Sequence, residues 1–236
     1  MPRRSHYITV REQAEIARSV APAGTGAQSS VSEEIFVGYG QKIVITTNAP
    51  DAGEITSIDW GSDTDVGVRV ARLTSAALAD LEIWEINNPT PGTRIITVNY
   101  DATQTVGFGI YIFSGAGPLS DVVTGTTTAA TTHSLTVPNV DPEDYVLKLT
   151  ASSGNIVPAG DLFELYNNTG TGGQYESHSK DGADGVVGEM LHTSGSTRDT
   201  SAIAVRVPYI YGITEITTVF PYARFTKRRF NFFLTQ

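Results

Sequence analysis

Along much of this chain apolar and polar residues alternate with a period of two, and short clusters of Gly, Pro, Asn and Asp interrupt the alternation. The stretch from Leu81 to Gly115 shows the pattern best. Its apolar runs, LEIWEI, RIITVNY and TVGFGIYIF, are separated by NNPTPGT and DATQ, and each has the length and the β-branched and aromatic content of a strand. The three read as a β-meander. In the last run Val106, Phe108, Ile110 and Ile112 share one face, with Gly107, Gly109, Tyr111 and Phe113 on the other. The alternate glycines leave part of that second face bare, where another sheet, a loop or a partner chain can approach.

The same signals recur before and after. EIFVGYG (34–40), QKIVITT (41–47), EITSIDW (54–60) and VGVRVARL (66–73) read as strands, with turn compositions at 48–53 and 61–65, and TSAALAD (74–80) reads as a helical turn or loop. The Thr/Gly-rich SGAGPLSDVVTGTTTAATT (114–132) reads as a long connection crossing between sheets. HSLTVPN (133–139) follows, with Leu135 and Val137 on one face. DYVLKLTA (144–151) has Tyr145, Leu147 and Leu149 on one face and Lys148 on the other. DLFELYNN (161–168) is a further strand, and 169–199 is loop-rich with one short strand inside. SAIAVRVPY (201–209) points Ile203, Val205 and Val207 inward and Arg206 outward. Roughly ten strands with regular turn signals predict an all-β fold, an antiparallel β-sandwich of immunoglobulin-like or jelly-roll type.

The two ends differ from this body. Residues 8–20, ITVREQAEIARSV, carry a short helical pattern with Thr9 as N-cap and Glu12 three residues later, and APAGTGAQSS (21–30) is a linker by composition. The last 28 residues concentrate Tyr209, Tyr211, Phe220, Tyr222, Phe225, Phe230, Phe232 and Phe233 beside Arg224, Lys227, Arg228 and Arg229. The organisation expected is therefore an N-terminal helix-containing arm and linker (1–30), a β-sandwich body (31–208) and an aromatic, basic C-terminal extended arm (209–236).

Charge sharpens that division. The net charge is −9, but residues 21–208 hold 8 basic and 22 acidic residues, −14, whereas 1–20 carry +2 and 209–236 carry +3. Opposite potentials steer association and fix orientation, so basic ends suit the acidic body of another copy or another protein. The chain has no cysteine, which excludes a disulfide framework and thiolate chemistry. No apolar run approaches the ~18 residues of a membrane-spanning helix, and the basic N-terminus lacks a signal peptide's apolar core, so synthesis in the cytoplasm without a membrane partner is expected.

The strand pair with a Trp leading into a Pro-Gly turn, EIWEINNPTPGTRIITVNY, the strand ending in Ser-Gly, GFGIYIFSG, and the later DLFELYNN and AIAVRVP resemble accessory β-sandwich proteins of tailed-bacteriophage virions and related bacterial surface modules. The resemblance covers about residues 33–208. It implies a virion protein such as a capsid decoration, head-fibre or tail component, and it carries no catalytic residues.

Candidate chemistry is sparse. His6, His133, His178 and His192 show no metal-ligand spacing and read as surface or turn residues. No GxSxG elbow, P-loop or dinucleotide fingerprint is present, so an enzyme is not expected and no cofactor is assigned. Asp59, Asp63 and Asp65, and Asp181 and Asp184, offer oxygen ligands of the kind Ca²⁺ takes, but Asp and Gly in turns account for them equally well. The sequon Asn167-Asn168-Thr169 has no meaning without secretion.

Arg3, Arg4 and Arg11 at one end, and Phe220, Tyr222, Arg224, Phe225, Lys227, Arg228, Arg229, Phe230, Phe232 and Phe233 at the other, are the candidate partner-docking residues, aromatics and Arg being favoured interface anchors. The partners expected are other virion proteins and copies of the chain itself. Nucleic acid is disfavoured by the acidic body. The alternative is a glycan-binding adhesion module that uses Trp60, Trp84 or tyrosines as sugar platforms, although Trp84 lies in an apolar run that reads as core.

Overall fold

The computed structural model describes residues 15–20, 28–49, 54–74, 78, 80–104, 107–154, 157–158, 163–170, 173–181 and 189–210. Their strands, in chain order, are β1 (Glu15–Val20), β2 (Gln28–Val37), β3 (Gln41–Ala49), β4 (Ile55–Trp60), β5 (Val68–Leu73), β6 (Asp80–Ile86) and β7 (Gly92–Gln104). They continue with β8 (Gly107–Ser114), β9 (Ser120–Thr136), β10 (Tyr145–Ser152), β11 (Val157–Pro158), β12 (Phe163–Gly170), β13 (Gly173–Asp181) and β14 (Glu189–Val207). Sheet I runs β1-β8-β3-β6-β5 and sheet II runs β2-β7-β4; sheet III runs β11-β14-β10-β13-β12, with β9 also on β14. Every described strand pair is antiparallel.

Period-two alternation decides which face each strand buries. Ile43 and Ile45 of β3, Trp84 and Ile86 of β6, and Ile110 and Ile112 of β8 pack against Ile35 and Val37 of β2, Ile58 and Trp60 of β4, and Ile96 and Val98 of β7. The intervening residues of sheet I turn the other way. Val44, Leu81, Ile83, Tyr111 and Phe113 pack against Leu147 and Leu149 of β10 and Ile203, Val205 and Val207 of β14. Sheet I thus buries both of its faces, and every residue of β6 is buried. At roughly 1.5–3 kcal/mol for each large apolar side chain, these two layers are the dominant favourable term. The inward set predicted for 201–209 is the one observed.

The chain departs from the sequence reading in four places. First, β6, β7 and β8 are not a meander: β6 and β8 both flank β3, while β7 is the centre of sheet II. The chain changes sheet between β6 and β7 and again between β7 and β8, so adjacent strands in sequence face each other across a core. Second, the Thr/Gly-rich 114–132 is no loop, because most of it is the 17-residue strand β9. Threonine is β-branched and fits a pleated, half-exposed surface, and the run lacks the apolar alternation that marks a two-sided strand. Third, 169–199 holds all of the nine-residue β13 and the first half of the 19-residue β14. Fourth, within the predicted helix 8–20 the described part, 15–20, is β1, paired antiparallel to β8 with Val20 opposite Ile110. A helix of that length is marginal alone, and the open edge of β8 supplies hydrogen bonds to a strand. The rest of that stretch lies outside the described residues.

The bare patch expected beside Gly109 is filled from within. A side chain at 109 would come within 2.8 Å of Tyr111 Cζ and 3.1 Å of Thr46 Oγ1. The Tyr111 ring therefore lies over the glycine, where Thr46 Oγ1 donates to its hydroxyl at 3.4 Å.

Candidate functional site

The polar chemistry that the fold concentrates lies on the far side of sheet III, under a ribbon made by β9 and β14. The two strands pair from Glu189↔Thr136 to Thr193↔Thr132, and again from Arg198↔Ala130 to Arg206↔Ser120. Between these stretches Ser194–Thr197 stand against Thr131 alone, and the ribbon bends there. Ala129 adopts φ 49°, and its N–H donates to Asp199 Oδ1 at 2.8 Å. The bend is sharp enough to bring β9 back over itself. Residues ten apart in an extended strand lie about 33 Å from each other, yet a Cβ on Gly125 would sit 2.6 Å from Leu135 Cδ2. A side chain at 125 would have to push the end of Leu135 aside. Met190, Val146, Ala204, Val137 and Val140 seal the fold with a small apolar cluster.

Enclosed beneath it are Lys148 of β10, His133 of β9, and His192 and Thr200 of β14. Lys148 is 1% exposed, His133 3% and His192 0%. Lys148 Nζ donates to the Met190 carbonyl at 3.0 Å and lies 2.8 Å from His192 Nδ1. An ammonium has no lone pair, so Nδ1 of His192 accepts. His133 Nδ1 is 2.8 Å from Thr200 Oγ1, while His133 Nε2 and Thr150 Oγ1 are buried without a hydrogen-bond partner. Burial pushes the His133 pKa below its ordinary value, the positive charge of Lys148 adds to this, and the Ala130 carbonyl opposes it. Two β13 positions complete the neighbourhood in register, His178 opposite Lys148 and Glu176 opposite Thr150.

Sequence reasoning missed this cluster. Lys148 was placed correctly on the face away from Leu147 and Leu149, but that face is covered rather than wet. His133 and His192, expected at the surface or in turns, are register partners in the buried part of the ribbon. The one available signal was THSLT on β9 matching MLHTS on β14, each with a histidine in a β-forming run, and it is legible only once the Thr-rich stretch is taken as a strand.

The other candidates fall as follows. Asp59 accepts from the Asp65 N–H at 2.8 Å and from Asn99 Nδ2 at 3.0 Å, and Asp63 pairs with Arg94 at 3.1 Å. These carboxylates organise a turn and a sheet edge. Among the described residues no group of three or more His, Asp or Glu is placed to hold a metal ion. Trp60 and Trp84 are both buried, Trp60 Nε1 donating to the Thr90 carbonyl at 2.9 Å and Trp84 Nε1 to Glu82 at 2.7 Å, so neither is a sugar platform. The exposed aromatics of the described body are Phe36 and Tyr39, the latter 92% exposed in the β2–β3 turn. The docking candidates Arg3, Arg4, Arg11, Phe220, Tyr222, Arg224, Phe225, Lys227, Arg228, Arg229, Phe230, Phe232 and Phe233 all lie outside the described residues, as does His6.

The root of the C-terminal stretch is nevertheless defined. Arg206 Nε donates to Asp144 Oδ2 at 2.6 Å, with Asp141 and Asp121 at 3.2 and 3.4 Å from the guanidinium. Asp144 Oδ1 accepts the Tyr209 N–H at 2.7 Å, and the Ile210 N–H reaches the Gly115 carbonyl at 2.8 Å. The chain is thus pinned up to residue 210 by a buried carboxylate. Among the described residues no helix is long and apolar enough to cross a membrane. Comparison with known proteins brings no matching family model, no matching curated protein and no matching solved structure.

Proposed function

We propose that this chain is a non-enzymatic structural protein of a tailed-phage virion, a capsid decoration or other accessory component, whose layered sheets form an immunoglobulin-like or jelly-roll sandwich body. The observation that carries the proposal is the separation of charge: −14 over residues 21–208 against +2 and +3 at the two ends. Basic, aromatic ends dock on the acidic body of a neighbouring copy or of another virion protein, and binding that occurs only in the assembled particle shifts the equilibrium toward it. The anchoring of residues 206–210 to Asp144 gives the C-terminal stretch a fixed point of departure. Nucleic acid and membrane are not partners in this reading.

Sedimentation of the full chain and of residues 1–212 at low and high salt tests it. The full chain associates at low salt and dissociates at high salt, and the shortened chain stays folded but monomeric. Identical sedimentation of the two forms at both salt concentrations refutes the proposal. A second reading, glycan binding, rests on the exposure of Tyr39 and Phe36. Specific glycan-array hits lost in Tyr39→Ala favour it.

A further inference from the structure

We propose that Lys42 and Asn87 become joined by an isopeptide bond, with Glu85 carrying protons between them. One carboxylate touches both nitrogens that such a reaction uses. Lys42 Nζ donates to Glu85 Oε2 at 2.7 Å, and Asn87 Nδ2 donates to Glu85 Oε1 at 2.9 Å. The fold sets the three together. β3 and β6 pair through Val44↔Glu85 and Ile43↔Ile86, so one further step in the same register places Lys42 opposite Asn87. Residues directly opposite on antiparallel strands have Cβ atoms about 4.5–5.5 Å apart. Alternation along the two strands puts Lys42 and Asn87 on the face of Val44 and Glu85, and on β8 the register partner of Lys42 is the buried Phe113. Lys42 and Glu85 are shut in, whereas Asn87 lies at the exposed end of the group.

Condensation of an amine with a carboxamide needs a neutral amine and a proton for the departing nitrogen. Burial pulls Lys42 toward its neutral form, against the hydrogen bond and charge of Glu85. When the ion pair moves its proton onto Glu85, Nζ has a free lone pair and attacks Asn87 Cγ. Glu85 then gives its proton to Nδ2 and takes one from Nζ. The Nζ–Cγ bond forms, the Cγ–Nδ2 bond breaks, ammonia leaves, and Glu85 remains a neutral acid beside the new amide. No oxidant or co-reactant enters. The ammonium is held by both Glu85 and the Gly117 carbonyl, so the charged pair predominates in the freshly folded chain and the bond accumulates slowly. In a chain without cysteine the product clamps β3 to β6 covalently, independently of the assembly role proposed above.

Intact-mass spectrometry of the full chain before and after warm incubation at mildly alkaline pH tests the proposal. The expected change is a species lighter by one ammonia, about 17 Da, that grows with time, while trypsin loses its cut after Lys42 and releases the peptides of Lys42 and Asn87 as one branched product. Lys42→Arg, which keeps a positive charge but has no free amine, and Asn87→Ala, at an exposed position, both keep their full mass. Glu85→Gln slows the growth at least about tenfold, and a parental rate overturns the role given to Glu85. An aged chain of unchanged mass overturns the bond itself. So does a loss of the same size that persists in Lys42→Arg or Asn87→Ala, because an asparagine cyclising onto its own backbone also expels ammonia but needs no lysine.

Discussion

Replacing Lys42 by Met removes one charge from a pair that sheet I encloses. Lys42 Nζ donates to Glu85 Oε2 at 2.7 Å and to the Gly117 carbonyl; Glu85 Oε2 also accepts the Leu119 N–H at 3.0 Å, and Oε1 accepts Asn87 Nδ2 at 2.9 Å. Both side chains are less than one-tenth exposed. Burial pulls the Lys42 pKa below its ordinary value, and the hydrogen bond and charge of Glu85 pull it back. Desolvation is therefore the large cost here, and the pair is worth keeping only as a pair. Removing one member of a buried ion pair costs about 3–5 kcal/mol. Glu85 keeps two donors in the variant, which places Lys42→Met at the lower end, about 3 kcal/mol. For a chain of this length that is a fall in Tm of about 6–12 °C. Adding Glu85→Gln removes the stranded charge, and its amide oxygen still accepts from Leu119 while the Gly117 carbonyl loses its donor, so the double variant recovers about 1–2 kcal/mol of the loss. Urea unfolding followed by the fluorescence of the buried Trp60 and Trp84 reads each corner of the cycle. A Lys42→Met protein within about 0.5 kcal/mol of the parent, or a double variant costing the sum of the singles, refutes the reasoning.

Two further outcomes follow from the packing. Because the folded His133 has its pKa below the value of about 6.5 in the unfolded chain, the unfolded state takes up a proton first. The stabilisation is complete above about pH 6.5 and is lost as pH falls through the folded pKa; urea midpoints at about pH 7.5 and about pH 5 show the drop, and His133→Gln flattens it relative to the parent. Gly109→Ala forces its methyl against the Tyr111 ring and costs about 1–3 kcal/mol. Tyr111→Phe in the same chain recovers part of that cost, and a thermal melt showing equal loss with and without the Tyr111 hydroxyl disproves the crowding.

What could be read from the sequence depended on whether a strand buries one face or two. VLKLTA and AIAVRV announced the residues of one face, and the structure packs Leu147, Leu149, Ile203, Val205 and Val207 there, but the alternation hid the burial of their other face, Lys148 and Thr150 included. The antiparallel all-β class followed from such segments. The order of strands did not, because β6, β7 and β8 have the same local character whether they pair with each other or with β3, and only long-range packing chooses. Thr124, Thr126 and Thr128 carry no apolar signal, so β9 looked like a connection, and with it the burial of His133, His192 and Lys148 went unseen. Pairing with the edge of β8 overrode the helical pattern at Glu15–Val20, a competition between a local and a distant hydrogen-bond partner that local spacing does not record.

The enclosure of β6 has a consequence for how this sequence can change over generations. With all seven of its side chains shut in, and three of them carboxylates answered by Arg72, Lys42 and Trp84, a replacement there needs a simultaneous answer on another strand. The outward threonines of β9 owe nothing to any neighbour of that kind. Drift in descendants of this chain will collect on that row, where any β-forming residue serves, while DLEIWEI stays fixed as the slowest-moving heptapeptide of the body.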